Sequence, residues 1–376
     1  MAFEFLILAD GEPAPDLVDL ATSLQVEQSL GDSARYTLRL DVDLDDSGEF
    51  PLLVDDRLRP GAELAVLVED GESSTCLVLG PVDRARVHIE GGGGGSWIEV
   101  MGGDRRVVMD RVHRTVVWRD RDSAIVSKLF ADYGLDPDVA DTHHNHADDS
   151  HTQNQSATDL AWVQRLARRN GCHFWLSYDV ESVGDSYILG ERAHFKPSPP
   201  RPDLGAGLID LLPAGEPPRI EINLEDRTTQ SMTSIDIEFD AERPTTIAGL
   251  RVAEADTEAR QILVPAPPHI PLGPVTVQNF TGNTERSMFL ASAGDPDELQ
   301  TRATAALAET EWFVTATLRC SRYSLGGRVL QPHMLVDVVG LGARYSGLWF
   351  VTGVSHSIDT RNHWMNVELA RNALGA

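Results

Sequence analysis

The sequence predicts a mainly β protein with an α+β insertion, and three observations carry that prediction. One strand-rich pattern occurs near each end of the chain, period-two alternation dominates both ends, and helical periodicity is concentrated between them. In the first copy of the pattern, Thr37-Leu38-Arg39 is followed by Leu58, Pro60, Val82, and Trp97 with Val100. In the second, Thr317-Leu318-Arg319 is followed by Leu330, Pro332, Val354, and Trp364 with Val367. The offset between the copies drifts along the chain, as it does when loops differ in length and strands do not. Two similar β-modules in one chain can build a ring with twice as many modules as subunits, which points to an assembly component rather than an enzyme.

Residues 1–106 read as the first β-module. Arg35 to Val42 alternates, setting Tyr36, Leu38, Leu40 and Val42 on one face. Leu64–Val68 and Thr75–Leu79 flank the turn residues Glu69 to Glu72 and predict a hairpin. Arg84–Ile89 and Trp97–Met101 are expected strands around the run Gly91 to Gly95. No Lys-Ser or Lys-Thr follows that run and the next element is a strand, so it predicts a hairpin tip and not a phosphate loop.

Residues 107–205 change character and read as a central α+β domain. Asp122 to Tyr133 has a helical apolar face, with Asp122 as expected N-cap and Gly134 as stop. Ser156 to Asp159 has capping-box spacing and opens a second helix with Leu160, Val163, Leu166 and Ala167 on one face, ended by Asn170-Gly171. His173–Tyr178 and Ser186–Leu189 are expected strands. The prolines between Lys196 and Pro202 and from Pro213 to Pro218 mark stiff connections.

Residues 216–376 return to strands as the second β-module, with an inserted segment at about 240–310. The expected strands are Arg219–Leu224, Ser234–Phe239, Val275–Gln278, Trp312–Leu318, Met334–Val339, Leu348–Val351 and Trp364–Leu369. Asp295-Pro296 opens a helix whose face is Leu299, Ala303, Ala306, Leu307 and Thr310.

With 376 residues the chain can hold several cores. Its net charge of −26, with Arg supplying nearly all of the 32 basic residues, argues against a nucleic-acid-binding surface. That charge suits a lumen that must not adhere to a passing polyanion, and equally an ordinary soluble surface. Cys76, Cys172 and Cys320 are far apart and flanked by apolar residues, so they read as buried thiols of a reducing compartment, neither a disulfide framework nor a zinc site. The N-terminus lacks the positive region of a signal peptide, and no stretch approaches membrane-span length. Synthesis in the cytoplasm is the expectation.

The chemistry-bearing candidate is the stretch Asp141 to His151, with His143, His144, His146 and His151. Imidazoles and carboxylates are ligands for zinc or iron, but the spacing matches no helical pair, and an exposed polar loop is the alternative. No nucleophile elbow and no dinucleotide fingerprint is present. No catalytic residue and no cofactor is therefore expected. Trp97, Trp175, Trp349 and Trp364 lie within strand patterns, where they fill cores or interfaces.

These residues resemble a known family. Asp120 to Leu135, Gln153 to Gly171 and Phe174-Trp175 are similar to the central domain of contractile-tail baseplate hub proteins. This is the phage late-control protein D family, also seen in the N-terminal hub region of type VI secretion spike proteins. Leu330-Gln-Pro332, Gly340 to Gly347, Phe350-Val351, Val354, His356 and Glu368 to Asn372 resemble its closing hairpins, and Leu58-Arg-Pro-Gly61 the matching element of its first barrel. One departure is Pro332-His333, where the family has Gly after Pro, so the turn is expected to differ in type.

The resemblance implies two related tail-hub, tube-like β-barrels and a homotrimer whose six barrels form a pseudo-sixfold ring. Such a ring adapts a hexameric tail tube to a trimeric spike, with baseplate wedge or sheath components outside. The spike is expected on a separate polypeptide. Assembly is then in the baseplate of a phage tail or injection particle, with no membrane and no specific nucleic acid as partner. Leu58, Pro60, Trp97, Leu330, Pro332 and Trp364 are the packing and interface candidates. The rival reading is a tail-associated enzyme, a cell-wall hydrolase or a metal-dependent hydrolase using the His143–His151 loop.

Overall fold

The computed structural model describes residues 5–70, 73–142, 145–146, 153–184, 186–200, 216–222, 231–253, 256–264, 268–282, 285–291 and 296–375, with backbone alone at 250–253, 256–263, 291 and 296–297.

The first stretch comprises β1 (Phe5–Ala9), β2 (Glu12–Pro13), α1 (Pro15–Leu20), β3 (Ala21–Ser29), β4 (Arg35–Asp41), β5 (Glu63–Asp70), β6 (Ser73–His88) and β7 (Trp97–Gly103). The alternation in β4 works as expected, with Tyr36, Leu38, Leu40 and Val42 all buried. Thr75–Leu79 and Arg84–Ile89, expected as separate strands, belong to the one long strand β6 up to His88. A bulge at Asp83 bends it, because its ladder with β7 slips between Val82 and Arg84. Its first half thus pairs with β5 and its second half with β7. The glycine run closes the β6–β7 hairpin, with Gly92, Gly93 and Gly95 at φ 91, 84 and 89.

The central stretch comprises α2 (Arg106–Met109), β8 (His113–Trp118), α3 (Asp122–Asp132), β9 (Asp136–Val139), β10 (Gln153–Thr158), α4 (Asp159–Asn170), β11 (His173–Val183) and β12 (Ser186–Lys196). Ile125, Val126, Leu129 and Phe130 of α3 and Leu160, Val163 and Leu166 of α4 pack with Phe174, Ala193 and Phe195 in a core of their own. Both caps differ from expectation. Asp122 is the first helical residue rather than the cap, and Thr158 caps α4, its hydroxyl accepting from the Ala161 N–H at 3.3 Å. Ser156 is unable to serve because it is paired with Thr115 in the β10–β8 ladder.

The last stretch comprises β13 (Arg219–Glu221), β14 (Met232–Phe239), β15 (Thr246–Ala253), β16 (Asp256–Val264), β17 (Val275–Thr276), α5 (Val277–Phe280), β18 (Ser287–Ala291), α6 (Pro296–Thr310), β19 (Val314–Ser321), β20 (Leu335–Val339), α7 (Gly342–Tyr345), β21 (Gly347–Ile358), β22 (His363–Arg371) and β23 (Ala373–Leu374). Strands β15, β16 and β18 form a small sheet against α6, where Ile247 and Val264 meet Ala303 and Leu307.

The expected pair of related β-barrels is not seen as closed barrels among the described residues. The strands of both ends join in one thirteen-stranded sheet, in the order β14-β19-β22-β21-β3-β4-β7-β6-β5-β1-β2, with β20 on β21 and β13 on β20. This path does not close into a barrel among the described residues. The join is β21, which pairs with β22 on one edge and with β3 on the other. One core therefore serves both ends, with Leu24, Leu38 and Val100 in the same cluster as Leu318, Val354 and Val367. A single large core buries a greater share of apolar surface than two small ones.

The duplication is present in the ladders themselves. Strands β4 and β7 pair Leu38 with Val100 and Asp41 with Trp97, while β19 and β22 pair Leu318 with Val367 and Ser321 with Trp364. The bulge recurs at the same step, between Val351 and Gly353. That step makes Val351 the counterpart of Val82, and Val354 the counterpart of Ala85. The sequence match of Val82 with Val354 is thus displaced by three residues, since residue type alone does not reveal which strand positions face each other. The outer strands differ, for β1 runs antiparallel to β5 and β13 runs parallel to β20.

Candidate assembly interface

Leu58 and Leu330 are both buried in the shared core, whereas Pro60 is exposed and Pro332 half-buried. The residue after each proline closes the same turn. The Gly61 N–H donates to the Val82 carbonyl at 2.8 Å, and the His333 N–H to the Val351 carbonyl at 3.0 Å. The return bonds match too, from Val82 to Ala62 at 2.8 Å and from Val351 to Met334 at 2.9 Å. Both residues have positive φ, 94 for Gly61 and 72 for His333. The turn expected to differ is therefore the same turn, built with a histidine.

The central unit holds that histidine. Its ring stacks on Trp175 with centroids 3.9 Å apart, and its Nδ1 lies 2.8 Å from the Ser198 hydroxyl. Burial drives the ring well below the ordinary imidazole range, with His173 and Arg106 adding to the effect. Trp175 also stacks with His194 at 4.6 Å.

Trp97 and Trp364 do not enter the shared core. Each is half-buried on the polar face of the sheet under an arginine of the neighbouring strand. Arg39 lies 4.2 Å from the Trp97 ring and Arg319 lies 4.6 Å from the Trp364 ring. These arginines are the duplicated residues of the Thr-Leu-Arg motif, so its conservation between the copies has a local cause. Trp97 further meets Arg86 at 5.5 Å and stacks with His88 at 5.4 Å.

The sheet ends where the duplication leaves two strands half-paired. Residues Gly353–Ile358 of β21 lie between β22 and β3. Their counterparts in β6 have β7 alone, and β14, the counterpart of β3, has β19 alone among the described strands. Val354 and Ile358 are buried, while Val87 is 45% exposed, Ile89 56% and Phe239 47%. Among the described residues, these two edges lack the second partner that their counterparts β21 and β3 have.

Other buried groups fasten the copies together. Gln28 Nε2 donates to the Leu77 carbonyl at 2.8 Å, which leaves its Oε1 to accept from His356 Nε2 at 3.2 Å. His356 Nδ1 then accepts from His363 Nε2 at 3.0 Å. Burial depresses both imidazoles, His363 to about 4. At the chain's end, Arg371 donates to the carbonyls of Leu272 at 2.7 Å, Ser346 at 2.9 Å and Tyr345 at 3.3 Å, and also to Gly375. Asn372 grips the same segment, accepting from Leu272 N at 2.9 Å. Sequence reasoning assigned none of these roles. The available signal was a histidine on the apolar parity of Val354 and Ile358.

Of the histidine stretch, His143, His144 and His151 lie outside the described residues. His146 is buried, with its Nε2 3.2 Å from Asp122. Asp122 is also held by Arg169 and by Asn170 Nδ2 at 2.7 Å. Burial opposes ionisation of Asp122, but His146 and Arg169 outweigh it and hold the carboxyl below its usual range. His146 thus helps join the start of α3 to the end of α4. Among the described residues no group of three or more His, Cys, Asp or Glu is placed to hold a metal ion. Cys76, Cys172 and Cys320 are buried free thiols. No helix among the described residues is long and apolar enough to cross a membrane.

No protein-family model matches the sequence, and no curated protein matches it. Solved structures do share the fold, tail and secretion-system proteins among them. A tail protein from Neisseria meningitidis MC58 matches with a TM-score of 0.64 at 13% identity, covering 100% of this chain and 98% of that one. The 43 kDa tail protein of prophage MuSo2 from Shewanella oneidensis matches with a TM-score of 0.62 at 12% identity, covering 99% and 100%. A component of the E. coli type VI secretion system, described as structurally similar to T4 bacteriophage tail proteins gp27 and gp5, matches with a TM-score of 0.54 at 12% identity, covering 93% and 73%. The chain has the fold of these tail proteins, as the sequence resemblance implied.

Proposed function

We propose that the chain is a structural baseplate hub of a contractile tail or phage-derived injection particle, without enzymatic activity. Three copies form a ring of six β-modules that presents a pseudo-sixfold face to the hexameric tail tube and a threefold face to the trimeric spike. Wedge or sheath components meet its outside. The units are a first module at 1–106, a central α+β domain at 107–205, and a second module at 216–376 carrying the segment at about 240–310. The chain is made in the bacterial cytoplasm and assembled into the baseplate.

One observation carries this reading: the two ends share ladder register, bulge and turn while differing in outer strand and insertion. Shared features give three chains six nearly equivalent docking sites, and the differences keep true threefold symmetry. Sedimentation of the purified chain, alone and with its tube and spike partners, tests it. A mass of three chains that binds both partners is expected. A chain that stays monomeric and binds neither overturns the proposal.

A further inference from the structure

The duplication states what each end of the sheet lacks. Within the chain, β21 and β3 pair antiparallel, setting Gly353 opposite Ser29, Val354 opposite Gln28, Ser355 opposite Glu27, His356 opposite Val26, Ser357 opposite Gln25 and Ile358 opposite Leu24. The bulge in each copy maps Gly353–Ser357 onto Arg84–His88 of β6, and Ile358 onto Ile89, the residue just after that strand. The counterpart of β3 is β14, since Leu24 pairs with Leu38 as Ile235 pairs with its equivalent Leu318. A chain therefore carries one edge of the β21 kind and one of the β3 kind, each lacking a second strand among the described residues.

We propose that the β6 edge of one chain pairs antiparallel with the β14 edge of the next copy, in the register already used between β21 and β3. Transfer of that register places Arg84 opposite Asp240, Ala85 opposite Phe239, Arg86 opposite Glu238, Val87 opposite Ile237, His88 opposite Asp236 and Ile89 opposite Ile235. The transfer uses backbone pairing alone, yet it sets base against acid at three positions and apolar against apolar at the other three. The faces agree as well. Arg86 and His88 lie over Trp97 on the polar face, while Ile235 and Ile237 pack toward the core. A slip of one residue sets Arg86 against Ile237 or Phe239 and destroys the match.

The charges also select the partner. Two β6 edges bring Arg84 and Arg86 against like charge, and two β14 edges do the same with Asp236, Glu238 and Asp240. Only head-to-tail pairing is left, the heterologous kind that closes into rings. Within one chain Asp240 meets Arg243 at 3.5 Å and His88 meets Glu90 at 3.3 Å, exposed pairs that compete weakly. Charged side chains on an open edge moreover discourage pairing with unrelated strands before assembly. The proposal rests on the hub reading for the number of chains, and not for the seam itself.

The test mixes chains that each carry one added cysteine. The crossed pair is Arg86→Cys with Glu238→Cys, or Val87→Cys with Ile237→Cys. Opposed pairs alternate between Cα separations of about 5.5 and about 4.5 Å, both within reach of a disulfide, so the two crossed pairs sample both geometries. A crosslink between different chains is expected there and not between Arg86→Cys and Asp236→Cys, and the three natural cysteines are buried. In parallel, Arg86→Glu should weaken self-association by about tenfold, and Arg86→Glu with Glu238→Arg should restore it to within about threefold. Multimers that crosslink only in another register, or that ignore both charge changes, overturn the seam and leave the hub reading standing. A monomer at every concentration overturns both.

Discussion

His333 takes in the second copy the place that Gly61 takes in the first, and both are left-handed, at φ 72 and φ 94. A side chain at Gly61 would meet nothing within 4 Å. At His333 the same turn abuts the central unit, and the side chain stacks on Trp175. A strained backbone of about 1 kcal/mol or more is held there by the contacts it makes possible. Divergence between the copies has thus turned an idle turn into a joint.

Substitution at His333 should invert the usual order of small residues. His333→Ala loses the stack and keeps the strain, whereas His333→Gly loses the stack and relieves it. His333→Gly should therefore be the more stable of the two by about 1 kcal/mol in urea unfolding. Equal stabilities would show that the turn carries no strain.

Arg371 is buried and donates to four carbonyls, with Gly347 and Gly273 leaving room for its guanidinium. Burial lowers it to about 10, so it is charged at neutral pH. Arg371→Met should cost about 3 kcal/mol or more, because it strands buried carbonyls. Arg371→Lys should recover less than half, since an ammonium does not span the fork. Full recovery by lysine in denaturant titrations would refute the geometric role.

The His356–His363 pair makes stability depend on pH. His363 titrates at about 4 in the folded chain because it is buried, with Arg322 nearby, against about 6.5 when unfolded. Between those values the unfolded state binds more protons, so stability is lost as pH falls from about 6.5 to about 4. The loss from His363 amounts to about 3 kcal/mol. His363→Gln keeps a donor for His356 and removes the titration. Its stability curve across this range should be shallower by one proton, and an unchanged slope counts against the assignment.

The two Arg–Trp contacts should be energetic duplicates. Double-mutant cycles on Arg39 with Trp97 and on Arg319 with Trp364 should each yield a coupling of about 0.5–1 kcal/mol. A coupling in one copy alone would mean that the shared motif no longer has a shared role.

Local features were legible wherever neighbours in sequence are neighbours in space. The apolar parity of Tyr36, Leu38 and Leu40 predicted which face is buried, and the run Gly91 to Gly95 predicted a hairpin tip. The helices after Arg121 and Thr158 were found to within two residues, although their caps were not, because a cap depends on what else its side chain can reach. At the candidate interface, the duplicated Thr-Leu-Arg motif and the two tryptophans were visible, but their contact across the ladder was not. Asp122 shows the limit plainly, as its carboxylate is held by Arg169, Asn170 and His146, far along the chain.

By itself the sequence determined that related strand patterns stand near both ends of the chain with α3 and α4 between them, since strand parity, helical periodicity and turn residues are local properties. Tertiary structure alone decided that the modules share one sheet, that Val351 and not Val354 answers to Val82, and that β6 and β14 are left with open edges. Pairing one strand with another is a competition among all edges of the chain, settled by the core they jointly bury. A list of residue types carries each strand's faces and not its neighbours.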